Sequence, residues 1–89
     1  QTASTYNVDT ERQIGNMIFT DGQLYCFQVS SFRYRSEAEK HAQRLRDSGE
    51  DAFIVEANLP ELDGIWYRVR VGYFNSLSEA KARREKVLK

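Results

Sequence analysis

Several features that commonly identify a protein class are scarce in this sequence. Its 89 residues include one cysteine, Cys26, and one proline. An intrachain disulfide is therefore impossible, which excludes the usual framework of a small secreted domain. The formal net charge is zero, so the chain has no general attraction for phosphates. No apolar run approaches the roughly 20 residues of a membrane helix, and no signal segment is recognisable. We expect a soluble domain whose targeting element lies elsewhere in its parent protein.

Groups that would catalyse a reaction or hold a metal are also scarce. No carboxylate pair, nucleophile triad or phosphate-binding loop is recognisable. His41 has no second histidine or cysteine at ligand spacing, so a metal site is not expected. We interpret Cys26 as a small, partly exposed strand residue rather than a reactive thiol. The sequence predicts no catalytic residue, no metal site and no cofactor.

The composition that remains is that of an ordinary globular protein, with 40% hydrophobic and 29% charged residues. A domain of this size hides only about 60% of its unfolded surface, so one small core is expected. Residues 1–15 are polar and aperiodic, and we interpret them as a flexible linker or tail. Residues 16–89 are expected to form the domain.

Local patterns predict the secondary structure of residues 16–89. Two strand-like runs, residues 17–20 and 23–32, flank the pair Asp21-Gly22, which is a hairpin signal. Ser36 and Glu39 have the spacing of a capping box and precede a helical stripe at residues 37–48. Further patterns predict two strands and a second helix, at residues 52–57, 65–74 and 76–89, with Ser76 or Ser78 as the N-cap of that helix.

An internal repeat relates the two halves of the domain. Six positions recur in order and at a constant offset, Val29, Phe32, Ser36, Glu37, Ala38 and Leu45 matching Val71, Phe74, Ser78, Glu79, Ala80 and Val87. Two strand–turn–helix copies around a middle strand predict an α+β, ferredoxin-like or RNP-like split βαβ fold. We expect a four-stranded antiparallel sheet with two helices on one face. The usual last strand is not seen before Lys89, so we expect residues 17–20 to replace it; alternatively, that strand follows Lys89 in a longer chain.

Side-chain alternation predicts that the other face of the sheet is exposed. Trp66, Arg68 and Arg70 alternate with apolar residues, and unpaired arginines are not expected in a core. In the strand of residues 23–32, alternation puts Phe27 and Val29 under the helices and Gln28 on the exposed face. Arg70 is expected to form an ion pair with an acidic neighbour such as Glu56. The resulting apolar and polar platform on a small domain is typical of a binding site.

The hairpin is expected to add apolar surface to that platform. A two-residue turn would pair Phe19 with Leu24 and Met17 with Cys26. Because paired residues share a face, Met17 and Phe19 would lie on the side of Gln28.

Three segments, taken in their order along the chain, resemble a known family. The segments are Cys26–Phe32 (CFQVSSF), Ser36–Glu39 (SEAE) and Trp66–Phe74 (WYRVRVGYF). Together they resemble a SPOR (sporulation-related repeat) domain over Leu24 to Lys89. The resemblance implies non-catalytic binding of septal peptidoglycan, specifically of glycan strands that amidases have stripped of their stem peptides. It also implies a location in the periplasm or cell envelope at the division septum, with a secreted or membrane-anchored parent.

The resemblance also implies which residues contact the glycan, namely Gln28, Ser31, Trp66 and Arg68. Two departures from the family pattern stand out. The last strand, which supplies an apolar contact in the family, is absent, and we expect Phe19 or Met17 to substitute for it. Tyr73 stands where a proline often follows the glycine. From pattern alone, Gln28 is equally an ordinary solvent-facing residue and Ser31 a turn former, while Trp66 could pack in the core.

Two other functions share this architecture. An open sheet with aromatic residues over two helices is also typical of RNA-recognition modules. The basic and aromatic signature of those modules is missing from residues 66–74, and the net charge is zero. Docking of a peptide on the sheet or its edge stays open. We expect a monomer that binds glycan strands, with no nucleic acid partner and no segment in the membrane.

Overall fold

The computed structural model describes residues 6–88, so the first five residues of the predicted tail lie outside the described part. The described strands form one five-stranded antiparallel sheet in the order β1-β2-β3-β5-β4. The strands are β1 (Arg12–Gly15), β2 (Ile18–Thr20), β3 (Tyr25–Phe32), β4 (Ala52–Leu59) and β5 (Gly64–Phe74), and the helices are α1 (Arg35–Asp47) and α2 (Leu77–Val87). This architecture confirms the predicted split βαβ fold, with β2 beside β3 and one additional strand.

The chain divides into two compact units. The described residues of the first unit are 6–27 and 72–88, and the second unit consists of residues 28–71. None of the helices in the described part of the chain is long and apolar enough to cross a membrane.

The hairpin of the first unit has a longer turn than the sequence suggested. Thr20 pairs with Tyr25, so four residues connect β2 to β3. The Asp21 carboxylate holds this turn open by accepting the backbone N–H groups of Gln23 and Leu24, at 2.8 and 2.9 Å. The predicted two-residue turn is therefore wrong. The prediction relied on the glycine at position 22 alone, and the sequence does not show the hydrogen bonds that the Asp21 side chain accepts.

The longer turn changes the partners across the hairpin. Phe19 pairs with Cys26 rather than with Leu24, and Met17 lies outside β2 with a φ of 61°. The pairing has slipped by two residues, and a slip of two keeps side chains on their face. Phe19 and Cys26 thus share a face.

Residues expected to belong to a flexible tail have secondary structure in the first unit. Residues 8–10 form a turn of 3₁₀ helix, and β1 pairs with β2. The Asn7 N–H and the Thr10 hydroxyl donate to Asp21, at 2.9 and 3.2 Å. The Tyr6 ring stacks on Tyr73 with 4.5 Å between centroids. Every residue of β1 is exposed, so this strand has no apolar period by which to recognise it.

Cys26 lies in the core of the first unit. It is fully buried, so the expectation of a partly exposed residue is wrong. The reason is the close approach of Gly72, where a Cβ would lie 2.7 Å from the Cys26 Cβ. Phe27 is also fully buried and stacks on Phe74, with 5.9 Å between centroids.

The two helices begin differently. In α2, the Ser76 hydroxyl accepts the Glu79 backbone N–H at 3.2 Å, which confirms Ser76 as the N-cap. In α1, the N-cap is Tyr34, which makes no side-chain capping bond. The predicted capping box at Ser36 is therefore wrong. Ser36 lies inside the first turn, and the position that matches Ser76 in the repeat is Tyr34.

In the second unit, β4 and β5 form a continuous ladder from Ala52–Val71 to Leu59–Gly64. A 3₁₀ turn at residues 60–62 joins them. Helix α1 packs beside β4. Ala38 and Ala42 of α1 and Val69 of β5 are fully buried. This ladder fixes the orientation of the side chains that form the candidate site.

Candidate functional site

Contacts with α1 identify the two faces of the β4–β5 ladder. The Arg35 side chain at the start of α1 donates to the Glu56 carboxylate at 2.9 Å. Its guanidinium also lies over the Tyr67 ring, 5.9 Å from the centroid. Glu56 and Tyr67 are direct partners across the ladder, so this pair faces α1. Because neighbours along a strand alternate, Trp66 and Arg68 face away from α1.

The face away from α1 combines aromatic, aliphatic and cationic groups. Trp66 lies opposite Ala57, and Arg68 lies opposite Val55. All four are half-buried. We call this set, Val55, Ala57, Trp66 and Arg68, the open face.

Arg70 does not extend this set as the alternation had suggested. It lies opposite Phe53 but is only 2% exposed. Its side chain has partners within the fold, as buried charges generally do. The Glu56 carboxylate, the acidic neighbour expected to pair with Arg70, accepts from Arg35 on the α1 face. The exposed positive charge of β5 therefore comes from Arg68.

The end of β3 is oriented by His41 of α1. The Ser30 hydroxyl lies 2.6 Å from His41 Nδ1, and the Phe32 ring meets the imidazole edge-on at 5.8 Å. Ser30 and Phe32 therefore face α1, and Ser31 between them points the other way and is exposed. Burial lowers the pKa of His41, and the charge of Arg44 adds to this effect.

The polar groups of the candidate site have unused hydrogen-bonding capacity. Gln28 is half-buried, and its Oε1 is buried without a hydrogen-bond partner among residues 6–88. In the same part of the chain, neither the Ser31 hydroxyl nor the Arg68 guanidinium has a hydrogen bond or ion pair. A buried acceptor left unpaired costs about 1–3 kcal/mol. Strict alternation from Ser30 and Phe32 would put Gln28 on their side of β3, so a ligand on the open face reaches this buried oxygen only if the Gln28 side chain turns.

The structure adds Arg33, which sequence reasoning missed. Its guanidinium carbon lies 5.5 Å from the centroid of the Trp66 ring. It also donates to the carbonyl oxygens of Asp63 and Ile65, at 2.5 and 3.4 Å. The strand pattern in the sequence ends at Phe32, one residue before Arg33. Counting on from Ser31 would have placed Arg33 on the same side.

Met17 and Phe19 lie in the first unit. Phe19 is 8% exposed and Met17 is 43% exposed. Phe19 therefore offers little surface to a ligand, whereas Met17 is accessible but outside the strand.

The side chains of the second unit suit the binding of a ligand. Among residues 6–88, no group of three histidine, cysteine or acidic side chains could hold a metal ion. An indole, an amide, a hydroxyl and a guanidinium suit a ligand that has both apolar faces and polar edges. These groups belong to Trp66, Gln28, Ser31 and Arg68.

Comparison with known proteins identifies the family. The SPOR domain family model matches residues 21–89, more than three quarters of the chain. Comparison with curated proteins and with solved structures gave no match. SPOR domains are non-catalytic peptidoglycan-binding domains of envelope-associated cell-division proteins. The match confirms the resemblance drawn from the sequence motifs: the chain belongs to the SPOR domain family.

Proposed function

We propose that this domain binds glycan strands of peptidoglycan that amidases have stripped of their stem peptides. Gln28, Ser31, Trp66 and Arg68 contact the strand, and this binding brings the parent protein to the division septum in the cell envelope. The observation that supports this most is that Arg68 lies on the open face beside Trp66 with no acidic partner among residues 6–88. The domain acts as a monomer and without catalysis.

The ligand chemistry matches these four side chains. Pyranose rings present C–H groups on their faces, and an indole buries such surface with a gain of about 25 cal/mol per Å². The Gln28 side-chain amide, once turned toward the strand, can exchange hydrogen bonds with the acetamide group of an N-acetyl sugar. Sugar hydroxyls can exchange hydrogen bonds with Ser31.

Arg68 provides the discrimination between stripped and intact strands. Removal of the stem peptide leaves a lactyl carboxylate on each muramic acid. A guanidinium binds a carboxylate through charge-assisted hydrogen bonds. In an intact strand the same carbonyl is an amide attached to a peptide, so it is neutral and bulky. Arg68 therefore favours the stripped strand.

The test is co-sedimentation of the domain with peptidoglycan sacculi, comparing amidase-treated with untreated material of equal mass. We expect several-fold more domain on the treated sacculi. Arg35→Ala is the matched control, because Arg35 lies on the α1 face, and it should bind as the unmodified domain does. Equal binding to both kinds of sacculi would contradict the proposal.

Single-stranded RNA in a salt series tests the competing function. Binding through phosphates weakens steeply with added salt, because counterions are released. We expect no measurable binding to RNA at physiological salt. Tight binding that is lost steeply as salt is added would assign the open face to nucleic acid instead.

A further inference from the structure

We propose that Arg33 is a positioning residue that orients Trp66 for the glycan. This inference rests on the proposed function and adds a residue to its site. Arg33 follows the end of β3, whereas Trp66 lies near the start of β5. The Arg33 guanidinium thus contacts both the Trp66 ring and the backbone that precedes Trp66 in the chain.

The hydrogen bonds of Arg33 fall on either side of Gly64. Its Nη2 donates to the Asp63 carbonyl at 2.5 Å, and its Nη1 donates to the Ile65 carbonyl at 3.4 Å. Trp66 is the next residue, and the same guanidinium carbon lies over its ring at 5.5 Å. A planar guanidinium can donate in a fixed fork and stack on an aromatic ring at once, which an ammonium cannot.

The backbone that Arg33 holds has an unusual conformation. Asp63 has a φ of 66° and Gly64 a φ of 123°, both in the left-handed region. Glycine adopts such a conformation without strain. It also leaves room, because a Cβ at Gly64 would lie 3.3 Å from both terminal nitrogens of Arg33. A side chain at position 64 would therefore crowd the guanidinium and require it to shift by a few tenths of an ångström.

Arg33 also keeps its charge available beside Trp66. Within residues 6–88 it has no carboxylate partner, in contrast to Arg35, which pairs with Glu39 and Glu56. Arg33 is exposed and uses two of its five N–H donors on backbone carbonyls. Its charge adds to that of Arg68 in favouring a strand that bears carboxylates.

Arg35 is a close internal control for Arg33. It lies two positions further along and also places its guanidinium over an aromatic ring, that of Tyr67, at 5.9 Å. It pairs with Glu56 and faces α1. Removing Arg35 therefore removes a comparable cation–π contact without touching the open face.

The experiment uses Trp66 as its own reporter, because it is the only tryptophan in the chain. Fluorescence anisotropy and acrylamide quenching are measured for Arg33→Ala, Arg33→Lys, Arg35→Ala and the unmodified domain. Binding of each to amidase-treated sacculi is measured in parallel. We expect Arg33→Ala to lower the anisotropy, increase quenching and weaken binding about tenfold. Arg33→Lys should change the fluorescence equally but weaken binding less, since it keeps the charge and loses the fork.

The outcomes separate the two proposals. Unchanged Trp66 fluorescence in both Arg33 variants would overturn the positioning role. Changed fluorescence with unchanged binding would show that the orientation of Trp66 does not matter to the ligand, and would overturn it as well. If the unmodified domain binds treated and untreated sacculi equally, the proposed function fails, while the fluorescence still tests whether Arg33 holds Trp66. Arg35→Ala should leave fluorescence and binding unchanged.

Discussion

Val55 lies directly opposite Arg68 in the ladder between β4 and β5, on the face away from α1. The aliphatic stem of an arginine can pack on such a neighbour while its charged end stays in water. No acidic partner holds that end among residues 6–88. Arg68 thus lies across the ladder from Val55 and leaves its hydrogen-bond donors for a ligand.

Arg68→Ala is expected to weaken binding to amidase-treated sacculi by at least about tenfold, because a hydrogen bond to a charged group contributes roughly 1.5–3 kcal/mol. The melting temperature should change little, since Arg68 has no ion pair in the described chain. Arg68→Lys should restore only part of the affinity. Co-sedimentation and thermal unfolding check both statements. Unaltered binding by Arg68→Ala would remove Arg68 from the site.

Gly72→Ala is expected to destabilise the domain by roughly 1–3 kcal/mol through overpacking. The added Cβ would meet the Cys26 Cβ at 2.7 Å and the Tyr25 carbonyl oxygen at 3.2 Å. Gly15→Ala is the matched control, because its nearest neighbours are Ile18 atoms at 3.9 Å. Urea unfolding measures both variants. Equal stability of the two would contradict the close packing of β5 on β3.

Stability should fall in mildly acidic solution because of His41, the only histidine. Burial, then the Arg44 charge, lower its pKa in the folded state below the ordinary value of 6.5. The unfolded chain therefore binds more protons just below that pH, and the free energy of unfolding decreases as the pH falls from about 6.5 toward the folded-state pKa. His41→Gln should flatten this dependence between about pH 7 and pH 5, above the ordinary range of carboxylates. Urea unfolding at several pH values checks it, and an unchanged slope would exclude His41 as the cause.

The internal repeat explains why much of the fold could be predicted. Both helices begin at matching positions of the repeat, Arg35 and Leu77. Alternation along β5 correctly put Trp66 and Arg68 on one face of the strand and Tyr67 on the other, since strand geometry alone determines that relation. These features depend on periods and spacings that are visible in the chain.

Other features depend on contacts that no local pattern contains. Arg70 is only 2% exposed, although it has the same place in the alternation as the half-buried Arg68. The four-residue hairpin turn follows from bonds to the Asp21 side chain. Arg33 reaches Asp63 and Trp66 across the second unit. Each is a tertiary interaction between distant or irregular segments, which propensity and periodicity do not report.

The most direct test of the central claim compares Trp66→Ala with Tyr67→Ala in binding to amidase-treated sacculi and in thermal unfolding. These neighbours occupy opposite faces of β5, with Tyr67 beneath Arg35 of α1. We predict that Trp66→Ala loses binding and stays folded, whereas Tyr67→Ala is less stable and binds normally wherever it remains folded. Retained binding by a folded Trp66→Ala, or a collapse of its melting transition, would contradict the account and place the ligand elsewhere or Trp66 in the core.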